Sequence, residues 1–200
     1  MLNKEQNKKI LLEKFSENSI FFKDQYNEIN IKKRDVLETI QLLKEDQNLQ
    51  YDQLIDLTAI DYPSREKRFD IIYILLSMAQ NERIVVKTSL KEDENIESIT
   101  SIHKAADWYE RECYDLFGIN FLNHPDLRRI MTDYNFEGHP LRKDFPLSGH
   151  TEVRYDELEK QVVYEPVKLT QEYRNFDYMS PWEGLDNHLI VDDKSEEEKK

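Results

Sequence analysis

The residues best suited to chemistry lie in one central stretch of the chain, residues 108–154. Two phrases there place His-Pro ahead of a basic pair: residues 123–129 read NHPDLRR, and residues 138–144 read GHPLRKD. The segment before them, ERECYD, adds Glu110, Arg111, Glu112 and Asp115. The stretch holds eight acidic and six basic residues, a net charge of −2, against −4 for residues 1–107 and −7 for residues 155–200. Charge in the middle of the chain is therefore dense but nearly balanced.

Balanced charge of this kind fits three kinds of site, of which the first two are chemical. In an enzyme, Glu112 or Asp115 could act as a general acid or base. A loop histidine, His124 or His139, would complete the pair, and two arginines would clamp an anion. In a metal centre, His150 could join the other two histidines, although no H-x-x-H or H-E-x-x-H spacing supports a metal.

The third kind of site is an ion-pair network that fixes an irregular backbone. Here the helix residues Glu110, Arg111, Glu112 and Asp115 would pair with the loop residues Arg128, Arg129, Arg142 or Lys143. Breaking a buried pair costs about 3–5 kcal/mol, and breaking an exposed pair costs under about 1 kcal/mol. No nucleophile, metal cluster or cofactor motif accompanies the charges, so the network is the favoured interpretation.

Composition excludes several classes of function. The single cysteine, Cys113, cannot form an internal disulfide or supply the thiolates of an iron–sulfur cluster, so any cluster must lie on another chain. Four dispersed glycines cannot build a dinucleotide or P-loop phosphate cradle. A net charge of −13 argues against nucleic acid as the main partner. The longest run without charge, residues 71–81, is about half as long as a membrane-spanning helix needs to be.

The chain up to residue 118 has the pattern of a compact α+β unit. Short strands are predicted at residues 20–22 and 28–31, followed by a helix over residues 33–46. Strand-like runs at residues 53–62, 69–79 and 83–90 are joined by connections short enough for antiparallel hairpins. The middle run is almost continuously apolar, so we expect it to be the central strand. These elements predict a mixed or antiparallel sheet of four to five strands with helices on one face.

The best-defined helix is predicted over residues 98–118, where Gly118 supplies the left-handed residue that ends it. Cys113 falls on the apolar face of this helix and is interpreted as a small core residue. Glu112 borders the same apolar stripe, so its carboxylate is expected to need a partner.

Regular periodicity stops after Gly118. Residues 119–187 contain five of the six prolines and many aromatic residues, in which disordered tails are poor. We therefore expect a long, mostly irregular C-terminal extension that lies on partner subunits, with Phe176, Tyr178 and Trp182 as anchors. The predicted organisation is a compact domain over residues 1–118, a partner-clasping segment over residues 119–187 and an acidic, frayed tail over residues 188–200.

The sequence also resembles a known family. Residues 110–131, which read ERECYDLFGINFLNHPDLRRIM, closely resemble the signature of the 30 kDa subunit of respiratory complex I, the NADH:quinone oxidoreductase. The likeness continues through FEGHPLRKDFPL at residues 136–147 and VVYEP at residues 162–166, and spans roughly residues 54–184. Family members usually have Gly where this chain has Asn123 and Asn135, and Asn tolerates a positive-φ turn well.

The resemblance implies a subunit of the peripheral arm, in the quinone-reducing module of a proton-translocating enzyme that passes electrons from NADH to quinone. It implies neighbours that form the quinone pocket and carry the terminal iron–sulfur cluster. FMN, iron–sulfur clusters and quinone would bind other subunits, and this chain would hold no cofactor, metal or catalytic residue. It further implies a peripheral position at the mitochondrial inner membrane, on the matrix side, or at the bacterial inner membrane, on the cytoplasmic side.

The side chains expected to matter are the charged and histidine residues of the signature, as ion-pair or interface positions. They are Glu110, Arg111, Glu112, Asp115, His124, Asp126, Arg128, Arg129, His139, Arg142, Lys143 and Asp144. The alternative is a free-standing soluble enzyme that uses Glu112, His124 and Arg128 on an anionic substrate.

Overall fold

A computed structural model of the protein describes residues 4–15, 19–22 and 27–169. The chain divides into two compact units, Met1–Leu147 and Ser148–Lys200. The first unit thus runs past the boundary expected at residue 118. The predicted division of the C-terminal region stays a prediction, because its anchors Phe176, Tyr178 and Trp182 lie outside the described residues.

The first unit combines helices with a sheet. Its helices are α1 (Lys4–Lys14), α2 (Val36–Glu45) and α3 (Ala106–Phe117), and a 3-10 turn at Lys33–Asp35 precedes α2. Its strands are β1 (Ser19–Phe22), β2 (Asn27–Asn30), β3 (Gln53–Asp61), β4 (Phe69–Ser77), β5 (Glu82–Leu90), β6 (Ile96–Glu97) and β7 (Phe121–Leu122). Within the described ranges, none of the helices has the length and apolar character needed to span a membrane.

Five strands form one mixed sheet in the order β1-β2-β5-β4-β3. Strand β2 runs parallel to β5, with Ile29 opposite Val86, and the other neighbours are antiparallel. The predicted α+β fold and sheet are confirmed. The prediction that residues 69–79 form the central strand was wrong, because β2 adds to the free edge of β5 and makes β5 the middle strand.

The core lies against one face of this sheet. From Ile71 onward, alternate residues of β4 such as Ile71, Tyr73 and Leu75 are fully buried, whereas those between them are only partly buried. Helix α2 contributes Ile40 and Leu43 to the same hydrophobic core. Period-two burial in a strand and an apolar stripe on a helix are the two patterns from which the sequence predicted these elements.

Helix α3 begins at Ala106, so the predicted helical start at residue 98 was wrong. The pairing of β6 with β7 extends to Ser98, which donates its N–H to the Leu122 carbonyl at 2.9 Å, and turns between residues 100 and 105 lead to the helix. The Ser98 hydroxyl accepts the N–H of Thr100 at 3.2 Å. Side-chain bonds of this kind compete with the helical hydrogen bonds that these residues would otherwise make.

Gly118 and Asn123, which follow α3, are among the residues with left-handed backbone conformations. Gly118 ends the helix with φ +76°, as predicted. Asn123 has φ +61°, a conformation that asparagine tolerates better than most residues with a side chain. Asn135 has no positive φ.

The second unit contains a β-hairpin formed by β8 (Thr151–Asp156) and β9 (Gln161–Pro166). Val153 lies opposite Tyr164, and Tyr155 lies opposite Val162, so these four side chains share one face of the hairpin. Each of the four is more than half exposed. The hairpin therefore presents an apolar face.

Candidate functional site

Asp115, in the last turn of α3, is a fully buried carboxylate that organises the loop after β7. Its Oδ2 accepts three successive backbone N–H groups, those of Ile130, Met131 and Thr132, at 2.7–2.9 Å. Its Oδ1 accepts the Thr132 hydroxyl at 2.6 Å and Arg129 Nη1 at 3.0 Å. Burial by itself would raise the pKa of Asp115, but these hydrogen bonds together outweigh burial and lower the pKa to about 2.

A second part of the loop caps the C-terminal end of α3. His139 Nδ1, the Leu141 N–H and Arg142 Nε donate, in that order, to the carbonyl oxygens of residues 115–117 at 2.8, 3.0 and 2.6 Å. These carbonyls have no partner within the helix, and the positive charge of Arg142 complements the helix dipole. Burial lowers the pKa of His139, which favours a neutral ring.

Gly118 makes this capping possible in two ways. Its φ of +76° is strained for residues that carry a Cβ atom. A Cβ atom here would also lie 2.6 Å from His139 Nε2 and 2.6 Å from Arg142 Nη2. The backbone of the helix end and the two capping side chains can approach each other only because this residue has no side chain.

A further network, which the sequence analysis missed, fixes residues 142–144 to the sheet. Arg68 donates to both carboxylate oxygens of Asp61, at 2.8 and 3.0 Å, and the two side chains are 10% and 0% exposed. Asp61 also accepts the backbone N–H of Lys143 at 2.7 Å. The Arg68 hydrogen bonds lower the pKa of Asp61 and outweigh the opposing effect of burial. The sequence does contain a signal for this pair: Asp61 ends the apolar strand β3, and Arg68 directly precedes the apolar strand β4.

Arg68 and Arg142 extend this network across the surface of the unit. Glu92 bridges them, with one carboxylate oxygen 3.1 Å from Arg68 and the other 2.7 Å from Arg142. Asp144 pairs with Arg68 at 2.9 Å, and this bond lowers the pKa of Asp144. Both guanidinium groups lie over the ring of Phe69, at 5.3 and 5.2 Å from its centroid. Two arginines thus stack on one aromatic ring.

The structure brings together one of the predicted helix-to-loop ion pairs, Asp115 with Arg129 at 3.0 Å. Arg128 instead pairs with its neighbour Asp126 at 2.7 Å on the surface. Arg111 donates to the backbone carbonyls of residues 128 and 129 at 3.2 and 3.4 Å. Residues 128–131 are therefore held mainly through their backbone.

Glu112, expected to need a partner, is exposed and makes no hydrogen bond or ion pair with any described residue. The buried carboxylate on this face is Glu110, which shares the helical spacing of Ala106, Cys113 and Phe117. Glu112 lies one turn after Trp108, which is 63% exposed, so an apolar stripe that includes Trp108 points to the wrong carboxylate. Cys113 is buried, as its core interpretation requires, and burial raises the pKa of its thiol.

Glu110 is fully buried, and only one of its carboxylate oxygens has a hydrogen bond. Oε1 accepts the Ile99 N–H at 2.7 Å, whereas Oε2 has no hydrogen-bond partner among the described residues. Burial raises the pKa of Glu110 to about 7, against the lowering effect of the Ser98 hydroxyl and the Ile99 N–H. The nearby Asp107 charge raises it further.

His124 lies beside Glu110 with its ring fully buried. Its Nδ1 accepts the backbone N–H of Asp126 at 3.0 Å, and its Nε2 lies 3.2 Å from the Asp107 carbonyl oxygen. Because a backbone N–H can only donate, Nδ1 carries no proton in this geometry, and Nε2 carries the proton of a neutral ring. Both ring nitrogens are therefore used within the fold.

These contacts fix the backbone of the loop. In the described ranges, no group of three or more His, Cys, Asp or Glu side chains is arranged to hold a metal ion. Glu112, His124 and Arg128 make no hydrogen bond or ion pair with one another there. In this arrangement, buried charged side chains form hydrogen bonds with backbone N–H and C=O groups.

The fold and the site define an α+β protein whose charged centre fastens a long loop to the end of one helix. Residues 29–151 match the family described as the 30 kDa subunit of respiratory-chain NADH dehydrogenase, and the chain belongs to this family. A Ruegeria pomeroyi protein, named as a subunit of NADH-quinone oxidoreductase, is 55% identical over 168 residues, 84% of each chain. The Cereibacter sphaeroides protein of the same name is 58% identical over 156 residues, 78% of each chain. The resemblance found in the sequence is confirmed.

A comparison with solved structures supports the fold. A chain from the membrane-bound sulfane sulfur reductase, an archaeal respiratory membrane complex, has a TM-score of 0.63 and 24% identity. The match covers 72% of this chain and 85% of that chain.

Proposed function

We propose that this chain is a structural subunit of the peripheral arm of NADH-quinone oxidoreductase, in the quinone-reducing module, and performs no chemical step itself. Electrons would pass from NADH to quinone through FMN and iron–sulfur clusters on other subunits. Its neighbours would be the subunit that forms the quinone pocket and the subunit that carries the terminal iron–sulfur cluster. The complex would lie on the matrix side of a mitochondrial inner membrane or on the cytoplasmic side of a bacterial one.

The main support for this proposal is that the hydrogen-bonding capacity of the Asp115 carboxylate is used within the chain itself. The carboxylate accepts five hydrogen bonds from the chain's own residues 129–132. Two carboxylate oxygens offer about four lone-pair sites, so little capacity is left for a substrate. The most elaborate charged group of the signature thus serves to fix a loop, which is a structural task.

The loop fixed in this way presents apolar side chains to the outside. Met131 and Tyr134 are 63% and 87% exposed, although the backbone of Met131 is bonded to Asp115. Trp108 on α3 is 63% exposed and lies 5.4 Å from the Arg111 guanidinium. Aromatic, Met and Arg side chains on a rigid backbone are enriched at protein interfaces, so this surface supports a partner subunit.

The hairpin of the second unit offers another apolar surface. A two-stranded hairpin is marginally stable alone in water, and a face made of Val153, Tyr155, Val162 and Tyr164 gains stability when another surface covers it. The chain after this hairpin would extend the same contact through Phe176, Tyr178 and Trp182, the predicted tail anchors.

Truncations in cells that lack any other copy of the subunit test this proposal. A chain that ends at Leu147 lacks the hairpin and the tail, and a chain that ends at Leu169 lacks only the tail. We expect the shorter chain to fail to enter the complex and the longer one to enter at a reduced level, both measured on native gels. Incorporation of both truncated chains at the full-length level would contradict the proposal.

A matched pair of substitutions refines the test. Val162 and Val163 are adjacent, and they point to opposite faces of β9. Val162→Ser is expected to lower incorporation into the complex, and Val163→Ser, on the face that carries Arg154, is expected to lower it less. Equal effects would show that the apolar face is not a contact surface.

A further inference from the structure

His124 Nε2 lies among three oxygen atoms of α3. It is 3.2 Å from the Asp107 carbonyl oxygen, 3.3 Å from Asp107 Oδ1 and 3.9 Å from Glu110 Oε2. The Asp107 carbonyl oxygen accepts a hydrogen bond from Nε2, whereas Asp107 Oδ1 and Glu110 Oε2 have no hydrogen-bond partner among the described residues. The ring therefore forms a hydrogen bond with the Asp107 backbone and none with Glu110.

Among the residues that the structure describes, no cation compensates the charge of Glu110. Tyr73 from β4 and Cys113 from α3 face it with un-ionised groups, while Asp107 adds a negative charge. Ser98 and Ile99 approach from the segment before the helix. Within the described part of the chain, no Lys or Arg side chain pairs with Glu110. Apart from the Ser98 and Ile99 donors, an ionised Glu110 can approach the Nε2 proton of His124, which lies 3.9 Å from Oε2, and an unpaired buried charge is strongly unfavourable.

We propose that Glu110 and His124 form a proton-dependent contact between α3 and the turn at residues 123–126. In this proposal Glu110 holds a proton while Nε2 stays with Asp107, and loss of that proton to solvent draws His124 Nε2 towards Glu110 Oε2. The imidazole keeps its own proton throughout and becomes the donor to the carboxylate.

The movement this requires is small, and it has one defined consequence. A charge-assisted N–H···O bond measures about 2.8 Å, so the ring must approach Glu110 by roughly 1 Å. His124 Nδ1 moves with the ring, away from the Asp126 N–H that it accepts at 3.0 Å. Ionisation of Glu110 therefore weakens the hydrogen bond inside the turn. Arg128, which pairs with Asp126, belongs to the loop that Asp115 fastens two residues later.

Two spectroscopic signals of the purified full-length chain test the proposal across a titration from about pH 5 to about pH 9. Infrared difference spectra report the C=O stretch of a protonated carboxyl group, and nuclear magnetic resonance reports the amide of Asp126. We expect the carboxyl band to disappear and the Asp126 amide signal to shift with one shared midpoint near neutral pH. Both changes should vanish in Glu110→Gln and persist in Glu112→Gln, which alters an exposed residue two positions away.

Two results would overturn the proposal. The first is a wild-type chain without any protonated carboxyl band above about pH 6, which would mean that Glu110 is already ionised. The second is a carboxyl band that titrates near neutral pH while the Asp126 amide stays unchanged or follows a different midpoint. Both results come from wild-type protein, so they decide the matter even if Glu110→Gln does not fold.

Discussion

The carboxylate of Asp115 binds Thr132 twice, accepting its backbone N–H at 2.9 Å and its hydroxyl at 2.6 Å. The two residues are seventeen positions apart, and the segment between them crosses the helix end, β7 and the His-Pro turn. A single buried carboxylate therefore sets the position of the loop relative to α3.

Asp115→Asn is expected to destabilise the chain by about 3–5 kcal/mol. The amide group replaces one acceptor with a donor and leaves the Arg129 guanidinium or the backbone N–H groups without their partner. Urea unfolding of the full-length chain measures the cost. The matched control is Asp126→Asn, which alters an exposed aspartate paired with Arg128 and should leave the free energy of unfolding close to that of the wild type. Equal costs for the two variants would contradict the role assigned to Asp115.

Asp115 also predicts a dependence of stability on acid. Its pKa is about 2 in the folded chain, below the ordinary value of 3.8, so the folded state binds this proton less readily than the unfolded state. The stabilisation is complete above about pH 4 and is lost as the pH falls towards 2, a change of about 2 kcal/mol. Unfolding free energies of the wild type and Asp115→Asn should converge over that range. A constant difference between them would contradict the assignment.

Glu110 predicts the opposite dependence. Its pKa is raised by burial to about 7, so the folded state binds this proton more readily than the unfolded state does. Its contribution to the free energy of unfolding is about 3 kcal/mol. This contribution is complete below about pH 4 and is lost as the pH rises to about 7. Glu110→Gln should therefore be more stable relative to the wild type at pH 8 than at pH 5, measured by urea unfolding. A pH-independent difference would show that Glu110 is ionised in the folded chain.

Asp61→Asn is expected to cost about 2–4 kcal/mol, because the buried Arg68 loses its bidentate partner and the Lys143 N–H loses an acceptor. Asp144→Asn is the matched control, since this aspartate pairs with the same guanidinium but is 60% exposed. It should cost far less in the same unfolding experiment. A larger effect of Asp144→Asn would show that the surface pair, rather than the buried one, anchors residues 142–144.

Gly118 can be tested with two substitutions that separate backbone strain from contact. In Gly118→Ala, the positive φ is strained and the new Cβ atom lies too close to His139 and Arg142. We expect the free energy of unfolding to fall by about 2 kcal/mol or more. Gly118→Asn relieves the backbone strain, as Asn123 at φ +61° illustrates, but keeps the Cβ contact. We expect Asn to recover little stability in thermal unfolding. A Gly118→Asn chain as stable as the wild type would show that the contact is unimportant.

The sequence predicted those elements that local pattern determines. Alternating and continuous apolar runs located β3, β4 and β5, and Gly118 marked the end of α3. The true start of α3 could not be read locally, because Ser98 bonds to Leu122 through a strand pairing formed by residues that come later in the chain. The position of β5 in the sheet likewise depends on its parallel partner β2.

The pairings within the site were mostly not predicted from the sequence. Of the suggested ion pairs, Asp115 does meet Arg129. However, Glu92 and Asp61 lie 50 and 82 positions from the residues they hold at 142 and 143, and no spacing rule connects such distances. Glu112 was expected to need a partner, whereas the buried carboxylate is Glu110, because the apolar Trp108 one turn before Glu112 is exposed. Long-range pairing accounts for the first failure, and an exposed apolar side chain on the helix accounts for the second.

Turnover per assembled complex in membranes that carry Asp115→Asn tests the structural role most directly. The amount of assembled NADH-quinone oxidoreductase is measured on native gels, and the NADH:quinone activity is divided by that amount. We predict less assembled complex but a wild-type rate for each complex that forms, with Glu112→Gln normal in both respects. Normal assembly with lost turnover would contradict the account and assign a chemical step to this chain.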